Sequence, residues 1–218
     1  MAEQGTTGSG IRGLWRRGFV VLALSAIVVV GVMAPAAQAK PGGVTGTFKV
    51  NSGMPYTSST TVTLNSAITG STQMRVANAG GVYTSWKPYA ASMPWVLPVG
   101  DGLKTVQVQY KWSTGKAITK SATITLDTVG PATTNDYSGL PVAVLTVSLT
   151  AGADLSGVAV TYYRIDGGVW QEGSVVSLTL KIRHKRAGLR AGVHSVEYYS
   201  VDGAGNAGPT GSCQVTLG

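Results

Sequence analysis

The chain has 218 residues, a formal net charge of +8, 12% charged and 44% hydrophobic residues, and 30 glycines. This apolar fraction excludes an intrinsically disordered chain, and the many glycines suit strands joined by tight turns. The single cysteine, Cys213, excludes an intrachain disulfide. Alternation around it predicts a buried structural thiol, with a reactive or intermolecular thiol as the alternative.

The first 39 residues have the parts of a secretory signal peptide. An apolar run over residues 19–33 leads to Ala37-Gln38-Ala39, which matches the A-x-A cleavage pattern. The run is preceded by Arg12, Arg16 and Arg17. We predict cleavage after Ala39, a mature chain that begins at Lys40, and export by the general secretory route. The paired arginines leave the twin-arginine route open. An uncleaved anchor is the alternative, although a membrane span needs about 20 apolar residues.

Positive charge is unevenly distributed in the mature chain. Residues 40–128 contain eight basic and two acidic residues, a net charge of +6. Residues 129–218 contain six of each and are neutral.

Two copies of about 90 residues repeat one pattern, and this is the size of a small sandwich domain. Residues 103–110 align with residues 193–200, and residues 121–126 align with residues 212–217. Upstream, Met74-Arg75-Val76 matches Tyr163-Arg164-Ile165. The Gly130-Pro131 pair between the copies cannot continue a strand. We therefore predict domains at residues 40–128 and 129–218.

Each copy has a β-type local pattern. Polar and apolar residues alternate over residues 61–64, 104–110, 123–126 and 144–149, and Thr, Val and Tyr dominate these runs. Asn78-Ala79-Gly80-Gly81 and Asp166-Gly167-Gly168 tolerate positive φ and predict hairpin turns. The mature chain shows no sustained helical period. The predicted fold class is all-β, with two tandem immunoglobulin-like antiparallel β-sandwiches after the signal peptide.

Short motifs in both copies carry a family resemblance. The first copy has Val62-Thr63-Leu64-Asn65, Met74-Arg75-Val76, Trp86-Lys87-Pro88-Tyr89, Gly100-Asp101-Gly102 and Leu126-Asp127-Thr128. These motifs resemble the Ig-like repeats of bacterial surface and secreted proteins. The second copy has residues 162–168, Trp170-Gln171, residues 194–202 and Gly205-Asn206. It resembles the OmpL47-type module, which is also close to Ig-like.

The resemblance implies a spacer, an adhesive unit or an appendage of a glycan-active enzyme. The chain departs from the family in two places. The first copy has Ser113-Thr114-Gly115-Lys116 where the family usually has an Asp-x-x-Gly-Asn turn. The second copy has a basic stretch over residues 181–190 where the family has a polar, mildly acidic loop.

The sequence indicates no catalytic site, no cofactor and no metal site. His194 and Ser195 are adjacent in a predicted strand, so their side chains lie on opposite faces and cannot act as base and nucleophile. No His/Cys spacing suits zinc. Asp202-Gly203-Ala204-Gly205-Asn206 predicts an Asp-initiated turn and lacks the further carboxylates of a calcium loop. We therefore predict that the protein is not an enzyme.

Two features could bind a ligand. The basic stretch is predicted to be an exposed connection, for which incidental charge on a solvated loop is favoured and attraction of anionic polymers is the alternative. Its cations are Lys181, Arg183, Lys185, Arg186 and Arg190. The second feature is a set of aromatic residues, for which core packing is favoured. They are Trp86, Tyr89, Trp95, Trp112 and Trp170. Trp112 is predicted to be exposed in a loop and is the candidate for stacking on a sugar ring.

The sequence therefore predicts a non-catalytic, secreted or cell-surface Ig-like module for adhesion or ligand binding. Its expected partner is a cell-wall or matrix polysaccharide or another anionic polymer. A specific reader of nucleic acid is not expected, nor is a stable membrane span after processing. A structural spacer, or the remnant of a larger multi-repeat protein, is one alternative. A carbohydrate-binding accessory of a secreted glycan-active enzyme is the other.

Overall fold

The computed structural model describes residues 45–139, 144–179 and 188–218. The predicted signal peptide lies outside the described residues, as do Lys181, Arg183, Lys185 and Arg186 of the basic stretch. The described part of the chain is all-β, apart from one short 3-10 turn at Asn51–Gly53. It contains no helix long and apolar enough to cross a membrane.

The first sandwich contains eight strands in two sheets. One sheet has the order β1-β3-β6 and the other β2-β8-β7-β4-β5. All neighbours are antiparallel except β2, which pairs in parallel with β8. The strands are β1 (Thr45–Val50), β2 (Tyr56–Thr57), β3 (Thr61–Thr69), β4 (Gln73–Asn78), β5 (Lys87–Pro88), β6 (Ser92–Val96), β7 (Gly102–Lys111) and β8 (Ala117–Leu126).

Alternation along these strands builds the first core. In β3, Val62, Leu64, Ser66 and Ile68 are buried, while the residues that alternate with them are exposed or half-buried. Their sheet packs against the facing sheet, where Tyr110 is fully buried. The Tyr110 hydroxyl lies 2.6 Å from Oγ of Ser66, which satisfies both buried groups. Burial raises the pKa of Tyr110 to about 12.

In the residues that the structure describes, the second sandwich contains seven strands and a separate core. Its sheets have the orders β13-β10-β9 and β12-β11-β14-β15. The strands are β9 (Thr133–Asn135), β10 (Val144–Ala151), β11 (Val158–Ile165), β12 (Gln171–Glu172), β13 (Val175–Thr179), β14 (Gly192–Asp202) and β15 (Gly211–Leu217). Cys213 is half-buried against this core rather than fully buried. Burial raises the pKa of its thiol. The predicted fold class, two tandem Ig-like sandwiches, is confirmed.

The two copies share the register of one hairpin but not of the strand beside it. Gly102 pairs with Leu126 in the first copy, and Gly192 pairs with Leu217 in the second, as the sequence alignment predicts. The Met74-Arg75-Val76 match is wrong by two residues. The closing turn bonds are Gly81 N–H to the Asn78 carbonyl and Gly168 N–H to the Ile165 carbonyl, so Asn78 corresponds to Ile165. Arg75 therefore corresponds to Tyr162 and not to Arg164.

The segment between the sandwiches packs against loops of the second one. Asp127, which follows β8, is 2% exposed, and its carboxylate accepts a 2.9 Å bond from the Ser156 N–H. Gly208 lies so close to Pro131 that an added Cβ would stand 1.9 Å from the Pro131 carbonyl oxygen. The two buried clusters share no residue. The division into domains at residues 128 and 129 stays a prediction.

Candidate functional site

The outer face of the five-stranded sheet carries two cations and two aromatic rings. Met74 and Val76 are fully buried, so Arg75 between them points away from the core. Lys111 directly follows the buried Tyr110 in β7, so its side chain also points away from the core. With Trp112, these groups form what we call the basic aromatic patch. Its members are Arg75, Tyr83, Trp86, Lys111 and Trp112.

Trp86 holds both cations of the patch by cation–π contacts. Its ring centroid lies 4.6 Å from Cζ of Arg75 and 4.5 Å from Nζ of Lys111. Each such contact contributes about 0.5–1 kcal/mol at an exposed site. The Nε of Arg75 donates a 2.8 Å hydrogen bond to Oε1 of Gln109, which fixes the guanidinium further. The prediction that Trp86 packs in the core is wrong, because the ring covers cations on the outer face.

Trp112 lines a cleft of about 470 Å³ at the end of β7. The prediction of an exposed side chain is wrong in degree, because Trp112 is half-buried and part of it packs against the first core. The turn that positions it is closed by a 2.9 Å bond from the Gly115 N–H to the Trp112 carbonyl. Lys111 belongs to both the cleft and the Trp86 contact. The other lining residues include Thr72, Gln73, Pro88 and Ser113.

Acidic residues lie at the far end of the first sandwich. The only two between residues 45 and 128 are Asp101 and Asp127. Asp101 directly precedes β7, and its carboxylate accepts hydrogen bonds of 3.1 and 2.9 Å from Thr128. The ten residues of β7 separate this end from the patch by about 30 Å. The patch therefore keeps its positive charge.

The second sandwich has a similar group of aromatic residues around an arginine, but a carboxylate neutralises the charge of that arginine. Trp170 lies 4.6 Å from Cζ of Arg164 and packs edge-on against Tyr199, which stacks on Tyr162. Arg164 forms a two-bond ion pair with Glu197, at 2.6 and 3.2 Å. That bond lowers the pKa of Glu197. Trp170 contacts Arg164 and Tyr199 and is not part of the second buried cluster, so the prediction that it packs in the core is wrong.

The core prediction is confirmed for the two remaining aromatic residues. Tyr89 and Trp95 pack against the first core. Neither the periodicity nor the composition separates them from Trp86, because Trp86 and Tyr89 both lie outside the alternating runs.

The one described cation of the basic stretch, Arg190, is exposed. Its carbonyl oxygen accepts a 2.8 Å contact from Nε2 of His194, and Nδ1 of His194 lies 2.7 Å from Oδ2 of Asp166. The Arg190 carbonyl and the Asp166 carboxylate raise the pKa of His194, because neither oxygen can donate a proton to the ring. His194 therefore ties β14 to the turn after β11. The exposed basic connection stays a prediction.

Three carboxylates meet where the first sandwich joins the second. One oxygen each of Asp127, Asp154 and Asp202 lies within 4.8 Å of the others. Burial raises the pKa of Asp127, but hydrogen bonds from Ser156 outweigh it and hold that pKa below its ordinary value. Burial and the neighbouring carboxylates raise the pKa of Asp154.

These carboxylates are separated widely in the sequence, so no spacing signal could have joined them. The expected turn is present, because Oδ1 of Asp202 accepts bonds of 2.9 and 2.8 Å from the N–H groups of Ala204 and Asn206. The further carboxylates that the sequence of this turn lacks come from Asp127 and Asp154. Such an oxygen set could hold a cation, but its hydrogen bonds already explain the geometry of Asp202.

The sequence matches no protein-family model and no curated protein. Solved structures with a similar fold include the fibronectin(III)-like modules of Clostridium thermocellum CbhA, at 13% identity and a TM-score of 0.45, covering 78% of this chain and 94% of that one. A 1.5-MDa bacterial ice-binding adhesin gives 17% identity and a TM-score of 0.41, covering 82% and 66%. A two-domain fibronectin type-III segment of chicken tenascin gives 17% and 0.31, covering 79% and 99%. The strand order described above defines the fold independently of these likenesses.

Proposed function

We propose that the protein is an exported, non-catalytic module that binds an extracellular polysaccharide through the first sandwich. The observation that carries this proposal is the position of Trp112 in the wall of the 470 Å³ cleft. Adhesion to a cell wall or matrix would follow from such binding.

The chemistry of the cleft suits a sugar ring. The face of an aromatic ring carries negative charge and attracts the slightly positive C–H groups of a sugar. Thr72, Gln73 and Ser113 offer hydrogen-bonding groups beside it, as a site for hydroxyl-rich ligands needs. Because part of Trp112 packs on the core, its ring is held in place before any ligand arrives.

Affinity electrophoresis of the exported protein in gels that contain neutral or acidic polysaccharides tests the proposal. We expect retardation by at least one polysaccharide, and a loss of at least tenfold in affinity for Trp112→Ala. Trp170→Ala is the matched control, because Trp170 is also a half-buried surface tryptophan but lies in the second sandwich. Equal affinity of the two variants, or no retardation in any gel, would contradict the proposal.

Export rests on the signal peptide predicted at residues 1–39. The protein recovered outside the cytoplasm is expected to begin at Lys40. N-terminal sequencing that finds Met1 in membrane-bound material would favour an anchored protein instead.

A fixed spacer is the second candidate function, and the packed segment at Asp127 favours it. Backbone contact between Pro131 and Gly208 restricts the connection between the sandwiches, as a spacer of constant length requires. Limited proteolysis that leaves residues 128–132 intact would support this role. Rapid cleavage there would contradict it.

A further inference from the structure

We infer, on the basis of the proposed function, that the polysaccharide is acidic and that Arg75 and Lys111 bind its carboxylate or sulfate groups. The sugar ring that carries or adjoins the acidic group would then lie against Trp112. The basic aromatic patch thus determines which class of polysaccharide the cleft accepts.

The position of Lys111 joins the two parts of this site. Lys111 is one of the residues that line the cleft beside Trp112, and its Nζ lies 4.5 Å from the Trp86 ring centroid. A ring stacked on Trp112 therefore places its substituents near an ammonium group. Arg75 contacts the same Trp86 ring and so adds a second cation beside Lys111.

The two arginines that contact tryptophan rings differ in their partners within the described residues. Arg164 is paired with the carboxylate of Glu197, at 2.6 Å. Arg75 is instead oriented by the neutral amide of Gln109, directly across the strand pair. An amide oxygen fixes the direction of the guanidinium without neutralising it, and an acidic group of a ligand can complete the pair.

No acidic residue of the mature chain supplies that missing charge. All eight of them lie in the described residues, and none forms a salt bridge with Arg75 or Lys111 there. The nearest along β7, Asp101, is about 30 Å away, which is about three Debye lengths at 0.1 M salt. Charge complementarity therefore favours an anionic polymer over a neutral one.

Three polymers with one backbone test this inference: dextran, carboxymethyl dextran and dextran sulfate. We expect the exported protein to bind one or both acidic polymers at least tenfold more tightly than dextran in low salt, with affinity falling as salt rises. The two acidic arms show whether carboxylate or sulfate is preferred. Equal affinity for dextran, with loss in Trp112→Ala, would overturn the inference and leave the proposed function standing. Binding to no polysaccharide would remove both.

Paired variants locate the charge. Arg75→Gln combined with Lys111→Gln should weaken binding of the acidic polymer at least tenfold. The control, Lys49→Gln with Lys104→Gln, removes the same charge elsewhere in the first sandwich and should change it less than twofold. Arg75→Lys with Lys111→Arg keeps the charge and should retain most of the affinity, which separates a charge effect from misfolding.

Two results would overturn the inference at this stage. Equal losses in both glutamine pairs would indicate attraction by net charge alone. Loss of binding only when Lys181, Arg183, Lys185 and Arg186 become Ser would place the contact in the basic stretch.

Discussion

The side-chain amide of Asn206 donates a 2.8 Å hydrogen bond to the backbone carbonyl oxygen of Asp127, 79 residues earlier in the chain. The same amide donates a 2.7 Å bond to Oδ2 of Asp202. One side chain therefore joins the residue after β8 to the turn after β14. Because Asp127 is almost fully buried, water cannot readily replace this partner.

Asn206→Ala should lower the free energy of unfolding by about 1–3 kcal/mol, because it leaves buried acceptors unsatisfied. Urea denaturation of the exported protein measures the change. Gln214→Ala is the control, since Gln214 is an exposed residue of β15, and its effect should stay within about 0.5 kcal/mol. Equal stability of the two variants would show that the Asn206 bond does not contribute to stability.

Gly208→Ala should destabilise the protein more than Gly70→Ala. At position 208 the added Cβ would meet the Pro131 carbonyl oxygen at 1.9 Å, so the backbone has to move, at a cost of about 3 kcal/mol or more. Gly70 has a φ of +82° and open space around it, so alanine there causes only backbone strain, about 1–2 kcal/mol. Thermal unfolding compares the two, and a larger loss for Gly70→Ala would contradict the close contact.

The strands follow directly from alternation, as in β3, where Val62 and Leu64 are buried. The site does not. Trp86 lies outside an alternating run, so the sequence cannot show that it covers Arg75 on the outer face. The meeting of Asp127 with Asp154 depends on how loops of two sandwiches pack, and no local pattern encodes that packing.

The sequence match of Arg75 with Arg164 is wrong by two residues, also because the structure depends on more than the local pattern. Sequence similarity aligned Arg75 with Arg164, whereas strand register places Gln109 opposite Arg75 and Glu197 opposite Arg164. Register depends on the turn that closes each strand pair, and the loops that follow these turns differ in length. The difference between a charged and a neutral partner is therefore visible only in the structure.

His194→Gln should reveal a pH-dependent contribution to stability. The folded protein raises the pKa of His194 above its ordinary value of about 6.5. A raised pKa means that the stabilisation is fully present below about pH 6.5 and is lost as the pH rises through the folded value. The stability difference between the parent and His194→Gln should therefore shrink from pH 6 to pH 9 in urea denaturation.

His184→Gln is the control for that measurement, because it removes the other histidine of the chain, which lies in the predicted exposed connection. Its difference from the parent should be small and should not vary with pH. A constant difference for His194→Gln across the same range would mean that Asp166 and the Arg190 carbonyl do not hold the charged ring.

Residues 40–128 expressed alone should fold cooperatively and give a β-type circular dichroism spectrum. The first buried cluster draws only on residues between Phe48 and Ile124, so the fragment contains its whole core. It lacks Ser156 and Asn206, the partners of Asp127. Asp127→Ala should consequently lower the stability of the full chain by about 1–3 kcal/mol and leave the fragment within about 0.5 kcal/mol. A disordered fragment would contradict the predicted division at residue 128, and an equal loss in both proteins would show that Asp127 acts within the first sandwich.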